Sequence, residues 1–436
     1  MAPMMHRYAR DAKTALDALG VGDSTDWIDF LFWDPNAPET SDYSSLPVSY
    51  LAPGMGGVTT RSDWSTSGTF MSFMSGPYIN NPGAGHEAFD KGSLAIERNK
   101  NPLVVNPDAW LSHDPNGDPG WSATYDDRFG NWDVDHTLGN RILYNTFQLR
   151  HVDATGGILD NYGQWALQRS DFVRTKIGRY EDGGSYVLTV GQFLEDMYRP
   201  FNTICAGNSP VTSWSRQILY LRPSQFVVYD RTGICNASLD QYLAFHFPSN
   251  PVEVPPPGPG LHRFDINTGQ FAGSMTTILP ANAAFVTTDR VSTDPQTWNK
   301  LWRTEIRPTD AAAATRQWLT VFDLAGSSAQ VAAATPLTIL SGPAVGALLQ
   351  SSSGNTATVF GTAPVGTAIA GALSYVVPAA QTRHVITDLV PLGGYTVSVT
   401  ISGANHLVTV TPGGRSTASA EGVFSFAVTP GELLQP

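Results

Sequence analysis

The chain has 436 residues and a formal net charge of −12; it is 42% hydrophobic, 11% aromatic and only 15% charged. That length exceeds one ordinary core and predicts two or three domains, while the wealth of aromatics and the scarcity of charge exclude a disordered chain. The acidic balance argues against a general nucleic-acid or anionic-membrane surface, although a locally basic cleft still suits a polyanion, and no run of about eighteen apolar residues offers a membrane-spanning helix.

Residues 5–20 place Ala, Leu and Tyr at helical spacing, and Asp26 caps a second short helix that stops at Trp33-Asp34-Pro35. The first twenty residues are amphipathic, without the basic stretch and apolar core of a signal peptide. Strand-like pieces such as Thr69–Ser75 follow, then a Gly/Pro/Asn-rich loop from Gly76 to Gly85. Leu103–Val105, Tyr186–Val190, Gln217–Leu221 and Phe226–Asp230 are short β-branched or aromatic runs, the last two joined by the turn Arg222-Pro223-Ser224-Gln225. The aperiodic stretch Pro107–Asp135 is long for a loop in a compact domain, and such loops usually carry function. Cys205 and Cys235 flank the predicted hairpin as either one disulfide or two buried thiols. Near Ala325–Ala334 the composition turns to Ala, Ser and Gln. Beyond it lie regularly spaced strands at Ala344–Gln350, Thr356–Phe360, His384–Leu389, Tyr395–Ile401, His406–Thr411 and Val423–Val428. The expected fold is mostly β: a helical lead over 1–45, a large antiparallel β-sandwich over 46–328 and a smaller C-terminal β-sandwich over 329–436, with a small interface between their cores.

The stretch from Gly83 to Pro107, GAGHEAFDKGSLAIERNKNPLVVNP, carries the most chemistry. His86 and Asp90 stand four apart at the end of a Gly-rich loop, where a carboxylate can orient an imidazole aimed into a cleft. Taken alone, the same pair also reads as an ordinary hydrogen bond. His246, alternating with apolar neighbours in Leu-Ala-Phe-His-Phe, reads as a satisfied core histidine.

In chain order, Gly56-Gly57-Val58, Arg61-Ser62-Asp63-Trp64, Phe73-Met74-Ser75-Gly76-Pro77, GHEAFDKGS and the strand ending PLVVNP resemble the heparinase II/III family of polysaccharide lyases. So do Gly139-Asn140-Arg141-Ile142-Leu143, the pair Trp214–Tyr220 and Phe226–Arg231, and Thr382–Leu389, so the resemblance runs from about residue 46 to the end. It implies β-elimination on a uronic-acid polymer: a base takes the C5 proton, its electrons form the C4–C5 double bond, and the C4–O bond breaks onto an oxygen that an acid protonates. A neighbouring donor neutralises the sugar carboxylate and so stabilises the developing charge.

Position by position, His86 matches the first His of the family's His-x-His-x-Asp and Asp90 its Asp. The family's zinc-ligand positions fall at Ala88, Asn106 and Gly139, so no metal and no other cofactor is expected. A replacement set would be Asp133, Asp135 and His136. Tyr125 takes the place of the sandwich's catalytic tyrosine, with Tyr144 as substitute, or else packs beside Trp121 and Trp132. Arg61, Lys91 and Arg98 are candidate contacts for anionic sugar, Arg61 also serving as a strand tie through Asp63. The implied partner is an acidic polysaccharide, and the implied location secreted or periplasmic. In the family an (α/α) toroid precedes the sandwich. Here at most two helices come before residue 45, so the toroid is expected on another chain if the cleft is complete. The competing expectation is a non-catalytic carbohydrate-binding or scaffolding module.

Overall fold

The computed structural model describes residues 44–77, 90–105, 144–153, 155, 158–162, 164, 174–198, 204–255, 258–290, 301–351, 354–429 and 432–434. The helical lead expected over 1–45 lies outside them except for its last two residues. Among the described residues there is no helix of seven or more residues, and the mostly β fold expected from composition is what the chain adopts. Residues 44–48 and 63–66 belong to a unit separate from the rest, and in it the Trp64 indole donates to the Leu46 carbonyl at 2.9 Å.

The remaining residues build five sheets. The first runs Ser49–Ala52, Gly57–Arg61, Thr69–Met74, Leu94–Arg98, Asn101–Val104, a simple antiparallel meander. The second has eight strands, in the order Val252–Val254, His262–Asn267, Ala272–Leu279, Thr315–Ala325, Gln225–Ile234, Val211–Leu221, Tyr186–Gln192 and Lys176–Asp182. The third runs Ala284–Arg290, Leu301–Arg307, Asp240–Phe247, Phe147–Val152, Ile158–Tyr162. The fourth holds Ala333–Pro336, Ala344–Ser351, Gly354–Gly361, Thr382–Ile386, Phe424–Thr429 and Glu432–Leu434. The fifth holds Thr338–Ser341, Leu373–Pro378, Asn405–Pro412, Gly394–Ser402 and Ser416–Thr417.

The period-2 geometry of a strand sends alternate side chains to opposite faces, and three apolar clusters result. One joins Met71, Phe73, Leu94 and Ile96 of the first sheet to Trp214 and Ile218 of the eight-stranded sheet and to Phe147, Phe245 and Ile306 of the third. A second lies between the fourth and fifth sheets, around Val359, Ile386, Tyr375 and Val408. The third cluster packs Leu188, Leu219, Tyr229 and Leu319 of the eight-stranded sheet against Leu349, Phe360 and Val385 of the fourth. The central strands are therefore buried on both faces. That is why Gln225–Ile234 is almost uninterruptedly buried.

The sequence suggested a small interface between two cores; the third cluster corrects this. A polar joint adds to it. Asp388 accepts the Gln217 amide at 3.1 Å and the Gly361 N–H at 3.0 Å, and pairs with Arg179 at 2.5 Å and Arg231 at 3.6 Å. Cys205 and Cys235 are joined as a disulfide, with Cα atoms 5.8 Å apart, which decides between the two readings of the pair.

Candidate functional site

His86 and Tyr125 lie outside the described residues, as do Ala88, Asn106, Asp133, Asp135, His136 and Gly139. What the structure does place is the chain on which two of these segments begin or end, at Asp90–Ser93, Val105 and Tyr144–Asn145.

Asp90 is in a tight turn whose carbonyl accepts the Ser93 N–H at 2.8 Å. Its carboxylate lies 3.2 Å from the Lys91 ammonium, and Lys91 is only 2% exposed. The Lys91 N–H donates to Gln164 Oε1 at 3.0 Å, and the Gln164 amide donates back to the Lys91 carbonyl. Gly92 takes a φ of 87°, and a Cβ there would stand 2.6 Å from the Trp214 ring. Both the backbone conformation and the close approach require glycine.

Asn145 ties the segments together. Its amide donates to the Leu94 carbonyl at 2.9 Å and the Val105 carbonyl at 2.6 Å. Its Oδ1 accepts the His246 N–H at 2.7 Å and lies 3.1 Å from His246 Nδ1. With both amide protons committed to carbonyls, the Asn145 oxygen faces the histidine, so His246 carries its proton on Nδ1. The buried, bonded His246 is held as a core histidine, as its alternation with apolar residues suggested. Beneath this node, Arg216 donates to the Gly92 carbonyl at 2.6 Å and the Asn145 carbonyl at 2.5 Å, while its Nε donates to Asp230 at 2.8 Å. The Trp214 indole donates to the same Asp230 oxygen at 2.8 Å. Arg216 and Asp230 are fully buried and neutralise one another, so this group positions backbone. Tyr198 packs here too, its hydroxyl donating to the Phe147 carbonyl; burial raises its pKa well above the ordinary tyrosine value, against the pull of Arg216 and Gln164.

A second charged cluster covers the other face of the third sheet, opposite Phe147, Leu149, Phe245 and Ile306. Glu305 accepts Arg150 and Arg303, each at 2.6 Å, and Arg307 at 2.6 Å; Arg307 lies 3.5 Å from Asp240, and the Arg150 guanidinium stacks 4.2 Å above the Tyr242 ring. Burial alone would lower the Arg150 pKa, but Tyr242 and Glu305 outweigh it and raise it; burial raises that of Asp240 despite Arg150. Among the described residues, three guanidinium groups meet two carboxylates in this cluster. Sequence reasoning missed this cluster. Its signal was the alternation Arg303-Thr304-Glu305-Ile306-Arg307, a polar row on every second residue of a strand.

The remaining candidates are not gathered with Asp90. Arg61 pairs with Phe70 in register, one step from Thr69 opposite Arg98, so both arginines lie at one end of the first sheet. Asp90 and Lys91 precede Leu94 at the other end, roughly 20 Å away at about 3.3 Å per residue. The Arg61 guanidinium stands 5.5 Å from the Phe70 centroid. Arg98 donates to the Ser67 carbonyl at 3.0 Å and stacks 4.6 Å over Phe271. Tyr144 is buried at 2% exposure. Among the described residues, no group of three or more His, Cys, Asp or Glu is placed to hold a metal.

No family profile matches the sequence, and no curated protein does. Solved structures do. The chain is similar to heparan sulfate lyase HepC from Pedobacter heparinus, with 12% identity and a TM-score of 0.51, over 82% of this chain and 48% of that one. It is equally similar to a heparinase III gene product, with 13% identity and a TM-score of 0.51, over 80% of this chain and 48% of that one. The chain thus has the β fold that these lyases contain, and spans about half their length.

Proposed function

We propose that the chain is the β-rich part of a polysaccharide lyase that cleaves a uronate-containing polymer by β-elimination. The observation that carries this reading is the fold match to heparan sulfate lyase over 82% of the chain. In this reading His86 faces the sugar carboxylate or the C5 proton, Asp90 orients its ring, and Tyr125 protonates the leaving oxygen. The second half of the cleft comes from a helical toroid. The disulfide between Cys205 and Cys235 fits an exported protein. Zinc has no part in the scheme, because Ala88 and Gly139 have no donor atoms and the Asn106 amide is a poor ligand.

One observation favours the second reading, a carbohydrate-binding or scaffolding module: the Asp90 carboxylate assigned to orient His86 is engaged by the Lys91 ammonium at 3.2 Å. Incubation with heparan sulfate and other uronate polymers, followed by the absorbance of unsaturated product, separates the two. Activity that falls about a hundred- to ten-thousandfold in His86→Ala, with the melting temperature unchanged, supports the lyase. Wild-type turnover in that variant would remove His86 from the chemistry. A variant that unfolds would make His86 structural and favour the module. Tyr125→Phe should show a comparable loss if Tyr125 is the proton donor, and almost none if it only packs.

A further inference from the structure

The buried arginines of this protein follow a rule. Arg150 and Arg303 share Glu305, Arg216 pairs with Asp230, and Arg231 with Asp388. Arg383 breaks it. It lies on the strand Thr382–Ile386 of the fourth sheet, abreast of Thr356 and Ala427 on the neighbouring strands, on the face turned toward the eight-stranded sheet. Two residues along, Val385 joins the shared apolar cluster. At Arg383 the apolar packing ends in a groove of about 440 Å³, bounded on the opposite side by the turn 222–225 and by Asp323–Gly326. Arg383 donates one hydrogen bond to the Ser185 carbonyl at 3.2 Å, and its buried Nε has no partner among the described residues.

The other charges on the groove wall are already committed. Arg222 is clamped by Asp182 at 2.7 and 2.9 Å and by the Arg61 and Gly184 carbonyls. Asp323 accepts the Ala332 N–H at 2.7 Å and the Ser224 hydroxyl at 3.1 Å. Burial lowers the pKa of Arg383, and no carboxylate offsets it. A partly desolvated guanidinium without an anion is unfavourable, and an oxyanion entering the groove gains a charge-assisted hydrogen bond from it. Amides and hydroxyls of Gln381, Asn355 and Thr356 border the same space, the donor and acceptor mixture that sugar hydroxyls need.

We propose that this groove is a binding site for an acidic sugar unit, its carboxylate seated on Arg383 and its hydroxyls on the polar wall. The anion follows from Arg383 alone. The choice of a sugar to carry it rests on the lyase reading, but the site is remote from His86 in role and needs no turnover to be detected. The test is calorimetric titration of the full chain with glucuronate, and with glucose as the neutral control. Glucuronate should bind saturably, with glucose at least tenfold weaker. Arg383→Gln should weaken glucuronate at least tenfold, the range expected for a hydrogen-bonded charge. Thr356→Asp places a carboxylate beside Arg383 and should abolish glucuronate binding, which keeps the test decisive if Arg383→Gln does not fold. Absence of saturable glucuronate binding, equal binding of glucose, or wild-type affinity in either folded variant would overturn the proposal. A chain that cleaves uronate polymers but fails this titration loses only the groove; one that passes it without cleaving loses only the lyase reading.

Discussion

The core of the sandwich formed by the eight-stranded and third sheets and the core of the sandwich formed by the fourth and fifth sheets each contain a buried polar arrangement of a different kind. The first keeps full charges and pairs them, with Arg216 on Asp230 and Glu305 among three arginines. The second keeps a titratable group neutral. His384 is buried between Phe426, stacked at 4.6 Å, and Tyr375, whose hydroxyl lies 2.9 Å from Nδ1. Burial, with the nearby His406 adding to it, lowers its pKa to about 3. Paired charges fix backbone direction where chain segments converge, as Arg216 does at Gly92 and Asn145. A neutral histidine fills volume in an apolar core. The first arrangement is vulnerable to loss of a partner, the second to protons.

Three changes sharpen this contrast. Asp230→Ala strands the Arg216 charge in the core and leaves the Trp214 indole without its acceptor. It should cost about 3–5 kcal/mol in urea unfolding. A loss below about 1 kcal/mol would show that the pair is not the anchor of this node. Breaking the disulfide by Cys205→Ser with Cys235→Ser releases a 30-residue loop in the unfolded chain. That should lower stability by about 3.5 kcal/mol, and mass spectrometry of alkylated protein checks the bond itself. The smallest effect is the acid sensitivity of the C-terminal sandwich. The unfolded chain protonates His384 near pH 6.5, whereas the folded chain resists down to about 3. Stability is therefore complete above the unfolded value and falls as pH drops toward the folded one, by about 2 kcal/mol between pH 7 and 5. His384→Phe should flatten that part of the stability profile, and an unchanged slope would assign the sensitivity elsewhere.

The two regions were also unequally legible in the sequence. Strands of the C-terminal sandwich appear nearly as expected. Ala344–Gln350 became Ala344–Ser351 and His406–Thr411 became Asn405–Pro412, because Gly-rich turns punctuate short alternating runs there. The hairpin at Arg222–Gln225 was equally plain, its arms paired from Leu221–Gln225 back to Val211–Ile234. Thr315–Ala325 and Ala272–Leu279 were not recognised, because strands buried on both faces lose the alternation that marks a half-exposed sheet. The shared core was invisible for the same reason: Leu219, Tyr229 and Phe360 read as apolar positions without saying which sheet they meet. At the candidate site, sequence pointed to Asp90, but could not show that Lys91 turns inward to it or that Asn145 joins three strands. Contacts between segments distant in sequence, like those of Asn145, have no local pattern.

The proposed chemistry makes one demand that neither a binding module nor a hydrolase meets. β-Elimination leaves an unsaturated sugar end and takes no oxygen from solvent into either product. Digestion of heparan sulfate and other uronate polymers in heavy-oxygen water, read by mass spectrometry, measures both at once. The account predicts unsaturated ends with no heavy oxygen incorporated; saturated ends carrying solvent oxygen, or no cleavage of any uronate polymer, would contradict it.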